Sequence, residues 1–355
     1  MTLQENLNIE IHGIFAQQVR KIATMMDVTP ETVIQMAIAS LASSPIASNF
    51  PVDDYEEEIL SHPADRDRVG SDADRLEIIR NKEDVYSPYM DRWFMLHRDN
   101  IDFDSIEVSA QTIPPEPEYH MWGQFSRFLP IKFTLRMLAF LSEDSKGVSL
   151  QRWADQVRNE GSEFREFLRE LDVKLRRRRG TQMASGFPKD YEKSNNRFVN
   201  HFCADIFSNG KLVGMPAHLG LITYEEGIIR FTPKGLEYVR AENPILDDLG
   251  AEDGTIGSDE RLLLLDCIRN HLPSEWKFML NILNWINEGH DTPDLLTAKV
   301  KMNYGPRTEQ DWNQEQASTY RGGAIGRLGE IGIVERQWDS RRVTYLVSSL
   351  RELVD

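Results

Sequence analysis

Four consecutive arginines, Arg176, Arg177, Arg178 and Arg179, are the densest charge in this 355-residue chain. A row of guanidiniums suits one chemistry well: each planar fork can hold phosphate oxygens in pairs, and each phosphate neutralised releases counterions. The run closes an apolar helical stripe (Phe164, Phe167, Leu168, Leu171, Leu175). A solvated helix end, favoured by the helix dipole, is therefore the competing account. Lys174, Lys189, Lys193 and Arg197 lie close by and extend the basic stretch. Within Ser194–Phe207, read as a helix, Asn195, Asn196, Arg197 and Asn200 are the polar residues expected to face outward. Asn and Arg side chains can make paired contacts to adenine and guanine edges, although ordinary exposed polarity explains them equally well. Lys211 and Arg230, before and within a strand pair described below, can touch a nucleic-acid backbone.

Other chemistries find less support. His201 and Cys203 are two residues apart, share no helix face, and have no second pair at zinc-finger spacing. Glu275-Trp276-Lys277 matches the E-x-K fragment of many nucleases but sits in a helical context without the upstream acid on a strand. Gly323, Gly326 and Gly329 recur every third residue, which is neither a dinucleotide nor a phosphate-loop spacing; close helix packing is the better account. No serine-hydrolase, zinc-protease or kinase signature is present. The expectation is a protein with no cofactor, no metal and no catalytic activity.

Net charge is −16, which argues against DNA until it is divided along the chain. Residues 51–120 hold 7 basic and 19 acidic side chains, residues 121–243 hold 20 and 15, and residues 244–355 hold 12 and 19. The arginine run thus lies in the one basic segment. Counterion release depends on local positive surface, and an acidic remainder suppresses indiscriminate binding. No run of 18 apolar residues exists, so no membrane span is expected. The first residues lack a basic region followed by an apolar core. Cys203 and Cys267 fit reduced thiols, so a cytoplasmic location is expected.

The elements that must position these residues are clearest at 218–239. Gly220 can close a helix in the left-handed region. Glu226-Gly227 separates two apolar runs, Leu221–Tyr224 and Ile228–Phe231, where a hairpin turn needs positive φ. Thr232 then caps a helix whose first residue is Pro233. The wording "G-L-I, hairpin, T-x-K-G-L" resembles winged helix-turn-helix proteins, in which it follows the recognition helix. That resemblance implies a grip on DNA, or on protein within DNA-handling machines. Upstream, Phe133, Leu135 and Met137–Leu141 predict an opening helix. Ser149 is expected to cap a second with Leu150, Trp153 and Val157. A third runs from Phe164 to the arginines, and a fourth holds Phe198, Val199, Phe202 and Ile206.

Residues 256–355 resemble a second winged helix. Ser258 is expected to cap its first helix. Gly332-Ile333-Val334-Glu335-Arg336, a turn at Asp339-Ser340, and Val343–Val347 form its wing. Ser318, Tyr320, Arg321 and Arg327 would occupy its recognition helix, with Arg336, Arg341 and Arg342 on the wing. Its acidic balance makes protein binding at least as plausible as DNA. At the N-terminus, alternating Leu7, Ile9 and Ile11 precede two helical stripes, Phe15–Met26 and Val33–Leu41. Strand, helix, turn, helix in this length resembles the ribbon-helix-helix family. That implies dimerisation by strand pairing, with Asn8, Glu10 and His12 facing outward; a helical-hairpin dimerisation module is the plainer account. Residues 51–120 are acidic and broken by prolines, with Trp93-Phe94-Met95 suggesting a segment that docks on a neighbour.

The expected fold is therefore mainly α with small β-hairpins. A ribbon-helix-helix-like module (1–48) and an acidic, partly ordered connector (49–120) precede tandem winged-helix domains (121–245 and 256–355). The expected function is non-catalytic binding of double-stranded DNA by a homodimer, as a transcriptional regulator. An accessory subunit of a replication, partition or phage-defence assembly is the second reading, and a nuclease with a diverged site the third.

Overall fold

The computed structural model describes residues 92–111, 121–123, 125–142, 147–178, 180–208, 210–247, 254–306, 308, 310–339 and 342–354. The N-terminal module and the first part of the connector lie outside the described residues, as do Arg179 and Arg341. The described chain is mainly helical with three small antiparallel sheets. Residues 121–245 and 256–355, expected as successive domains, share one continuous hydrophobic core.

The first half is built around α1 (Leu129–Ser142), which is buried on nearly every side. The short β1 (Val148–Ser149) leads into α2 (Leu150–Lys174), where the Ser149 hydroxyl accepts from Arg152 N. The two helices expected at 149–157 and 164–175 are in fact this one helix. Trp153, Val157, Gly161, Phe164, Leu168 and Leu171 form an unbroken buried stripe along it. Gly161 does not break the helix; it makes room for Pro188, whose ring would lie 3.1 Å from an added Cβ. Then come α3 (Glu192–Phe202), the hairpin β2 (Asp205–Ile206) and β3 (Leu212–Val213), and the one-turn α4 (Met215–His218). Ile206, expected in the helix, lies on β2, because the helix stops at Cys203.

The hairpin expected after Gly220 is present. Strands β4 (Ile222–Glu225) and β5 (Ile228–Phe231) pair in register, and Glu226 and Gly227 take φ of 54° and 86°. Positive φ at both central residues matches the right-handed twist of the flanking strands. β1 returns to pair with β5, giving sheet order β1-β5-β4. Thr232 caps α5 (Pro233–Arg240) by accepting from Gly235 N at 2.9 Å.

The segment 92–111 docks onto this half, as its aromatic start suggested. Trp93 is wedged between Phe164 and Phe167 at 5.2 and 5.4 Å. Val108 bridges to Phe231 at the end of the hairpin. Below the segment, the buried Arg136 pairs with Asp247 and donates to the carbonyls of Leu96, Val239 and Ala241.

The second half contains α6 (Ser258–His271), α7 (Pro273–Asn287), α8 (Pro293–Tyr304) and α9 (Gln314–Glu330), then the hairpin β6 (Val334–Asp339) and β7 (Arg342–Val347). Ser258 is the first residue of α6 rather than its cap, which is Gly257. Two of the three repeated glycines of α9, Gly323 and Gly326, serve close packing, whereas a Cβ at Gly329 would make ordinary contact 3.5 Å from the Val334 carbonyl. An added Cβ at Gly323 would lie 2.0 Å from the Gly123 carbonyl, and one at Gly326 would lie 2.5 Å from Ser126 Cβ. Gly123 and Ser126 therefore lie directly on α9.

A buried ion pair locks that contact. Arg327 and Glu275 are both fully buried and bonded to each other. Arg327 also donates to the carbonyls of Trp122 and Phe125, and the other Glu275 oxygen accepts from Trp122 N at 3.0 Å. Removing one member of such a pair strands a charge in low dielectric. Arg327→Met is expected to lose about 3–5 kcal/mol of stability in urea titration, whereas Arg327→Met with Glu275→Leu recovers much of that loss.

Candidate nucleic-acid interface

The arginine run begins where α2 ends, and its backbone is set by a helix-terminating motif. Arg177 N reaches back to the Asp172 carbonyl (2.8 Å) and Arg176 N to that of Val173 (3.1 Å). This double bond pattern needs a left-handed residue between helix and loop, usually glycine. Arg176 fills it with φ of 49°. The loop is held from within as well, because both Asp172 oxygens accept from Met183 N and Ala184 N.

The loop then meets the second hairpin. Gly180, at φ +84°, lies under Arg336 of β6; a Cβ there would sit 1.3 Å from Arg336 Nη1. The Arg178 guanidinium lies 5.9 Å from the ring centroid of Trp338, also on β6. From the other side, the buried Arg127 donates to the carbonyls of Gly180 (2.6 Å) and Gly326 (3.3 Å). This ties the loop to α9.

The electrostatics follow. Burial, with Arg127 and Arg321 as like charges nearby, lowers the proton affinity of Arg336. Burial lowers that of Arg127 as well, against the pull of Glu330 and Asp172. Among the described residues no carboxylate forms an ion pair with Arg176, Arg178 or Arg336. Arg176 and Arg178 are exposed. The arrangement can hold anionic oxygens beside an aromatic ring.

Other expected residues divide. Lys174, Lys193, Asn196, Asn200 and Lys211 are exposed, while Lys189 and Arg197 are half-buried. Asn195 is buried, contrary to expectation. It shares with Phe198, Val199 and Phe202 the face of α3 that packs inward, at spacings of three, four and seven residues. Arg230 is turned onto its own hairpin, 3.5 Å from Glu225. The helix entering the first hairpin is α4, not α3, and its four residues are largely buried.

In the second half the expected recognition residues are engaged internally. Besides the buried Arg327, Arg321 donates to Thr297 Oγ1, Tyr345 Oη and Ser318 Oγ, and Tyr320 stacks on Trp312 at 3.8 Å. Glu275, first residue of the nuclease-like fragment, is buried, while Lys277 is exposed, so the fragment presents no joint site. Cys203 and Cys267 are both free and buried, and burial pushes the Cys267 thiol up to about 12. Among the described residues no group of three or more His, Cys, Asp or Glu side chains is placed to hold a metal.

Sequence reasoning missed Arg127 and Trp338. Arg127 carries no local signal. Trp338 does: it stands two residues after Arg336 on a strand, hence on the same face, next to a turn.

Two outcomes test this description. Arg176→Gly removes the cost of a left-handed non-glycine residue, so the melting temperature is expected to rise, by the equivalent of roughly 1 kcal/mol. His201, on α3, packs edge-on against Phe125 at 4.6 Å; burial and the neighbouring Arg197 pull its imidazole down to about 4. The unfolded chain, with a value near 6.5, binds the proton first. Stability is therefore complete above about pH 6.5 and is lost as the pH falls through about 4, by up to about 3 kcal/mol. His201→Gln is expected to flatten that limb in denaturant titrations at stepped pH.

No family model matches the chain, and no curated protein or solved structure matches it.

Proposed function

We propose that this chain is a non-catalytic DNA-binding protein that grips the phosphate backbone of double-stranded DNA. The grip is the surface where the arginine run meets the β6–β7 hairpin. The observation that carries this reading is the meeting of the arginine loop with β6, where Arg178 lies over Trp338 and Gly180 lies under Arg336, with no carboxylate ion pair on Arg176, Arg178 or Arg336 among the described residues. Local positive surface of this kind gives salt-dependent affinity even in an acidic molecule. The winged-helix reading draws support from the hairpin after Gly220 and from the return of β1 onto it. The same reading carries a homodimer through residues 1–48, a cytoplasmic location and a role in transcription regulation.

The second reading, an accessory subunit that binds protein, is favoured by one feature. Leu295 and Met302 stand seven residues apart on α8, both exposed, in the acidic half of the chain. Co-purification with a partner, lost in Leu295→Glu with Met302→Glu, and without duplex affinity, would favour it.

The decisive measurement is duplex affinity at two salt concentrations for the intact chain and for Arg176–Arg179 changed to alanine. The variant is expected to bind more weakly and with a shallower dependence on salt, by roughly 0.9 in log–log slope for each phosphate that is no longer neutralised. Unchanged affinity and slope would remove the arginines from the interface.

A further inference from the structure

The β6–β7 hairpin presents one face that grades from core to solvent. Side chains alternate along a strand, so Val334, Arg336 and Trp338 share that face, and the register sets Val347, Tyr345 and Val343 opposite them. Val334 and Tyr345 are buried, Arg336 is half-buried, and Trp338 is 42% exposed near the turn. The arginine loop runs beside this face, with Gly180 at Arg336 and Arg178 at Trp338. The indole is partly exposed, with the Arg178 guanidinium over its ring and Arg336 two residues back on the same strand face, so its solvent-facing area offers what one nucleotide requires: an aromatic plane for the base and cations for the flanking phosphates.

Helix α3 keeps Lys193, Asn196 and Asn200 exposed, but the two helices that enter the hairpins are less free. Helix α9 is packed against Gly123 and Ser126 along its last turns, and α4 is a single, largely buried turn. Neither is a fully projecting helix with free side chains, the usual reader of base edges in a major groove. An unpaired base, by contrast, can swing out to Trp338.

We infer that Trp338 is a stacking platform for an unpaired base, so that the DNA held by this surface carries a single-stranded end or junction. The base lies on the indole, and its phosphates lie on Arg178 and Arg336. The inference rests on the arginine surface being the DNA site. It adds the class of DNA and the residue that selects it.

The test uses the full chain, a blunt duplex, and the same duplex with an oligothymidine tail, both fluorescently labelled and followed by anisotropy. The intact protein is expected to prefer the tailed duplex by roughly five-fold or more, the scale of one base–aromatic stack. Trp338→Ala should abolish that preference, so that tailed and blunt duplexes are bound with equal affinity, each still with a steep salt dependence. Trp338→Phe should keep most of the preference and shows that the hairpin tolerates substitution. Absence of a tail preference in the intact protein, its survival in Trp338→Ala, or an equal loss on both substrates in Trp338→Phe overturns the inference. In the first two cases, salt-steep binding to the blunt duplex that Arg176–Arg179 to alanine weakens leaves the arginine reading standing. Binding to neither substrate by the intact protein ends both.

Discussion

The buried pair between Arg327 and Glu275 is the interaction on which the rest of the molecule depends. Two charges removed from water gain little net stability from each other, since desolvation offsets most of the attraction. Their value lies in geometry. Arg327 has its remaining donors on the Trp122 and Phe125 carbonyls, and Glu275 takes the Trp122 amide. Trp122, Gly123, Phe125 and Ser126 are thereby held on α9 in a defined register. That register places Arg127, which in turn holds the Gly180 carbonyl and sets the arginine loop against the second hairpin. A polar contact deep in the core thus decides where the exposed charge stands.

The consequence for function is a redistribution of roles. A chain with two hairpins and two preceding helices invites the expectation of two reading helices. The tertiary contacts engage part of those helices, although Lys193, Asn196 and Asn200 stay exposed on α3. Asn195 faces inward on α3, α4 is too short to project, and α9 spends Arg321 and Arg327 on its own neighbours. The cations that meet an aromatic ring or a close backbone approach belong instead to a loop and a hairpin. Loops and hairpins reach phosphates and unpaired bases more readily than they reach the floor of a groove, which shifts the reading from sequence recognition toward grip and shape. The net charge of −16 does not by itself exclude a local positive surface, because at physiological salt an exposed charge is felt over about 8 Å.

Much of the local architecture was legible from residue types alone. Glu226-Gly227 between apolar runs specified a turn with positive φ at both positions, and Thr232-Pro233 specified a capped helix. The glycine repeat on α9 pointed to the close approach that Gly323 and Gly326 make, and Trp93 to docking. Each of these is a statement about backbone sterics, a cap or one apolar face, settled within a few residues. The continuity of α2 through Gly161 was hidden. No apolar side chain stands between Val157 and Phe164 to continue the stripe, and the role of Gly161 shows only once Pro188, twenty-seven residues on, is seen to fill the space beside it. The β2–β3 hairpin was hidden for the opposite reason: its strands are two residues long, too short for any period to register.

The sequence by itself determined where the positive charge is concentrated, that it begins at a helix end, and which segments turn, cap and pair. These depend on φ preferences and on spacing along one chain. Only the tertiary structure decided what that charge stands beside and which arginines it excludes from solvent. Arg127, Arg178, Arg327 and Arg336 are the same residue type in the sequence. One anchors a loop, one is exposed beside an indole, one neutralises a buried carboxylate, and one lies over Gly180. The difference between them is burial and the partner supplied by a distant part of the chain, and neither quantity exists until the chain has folded.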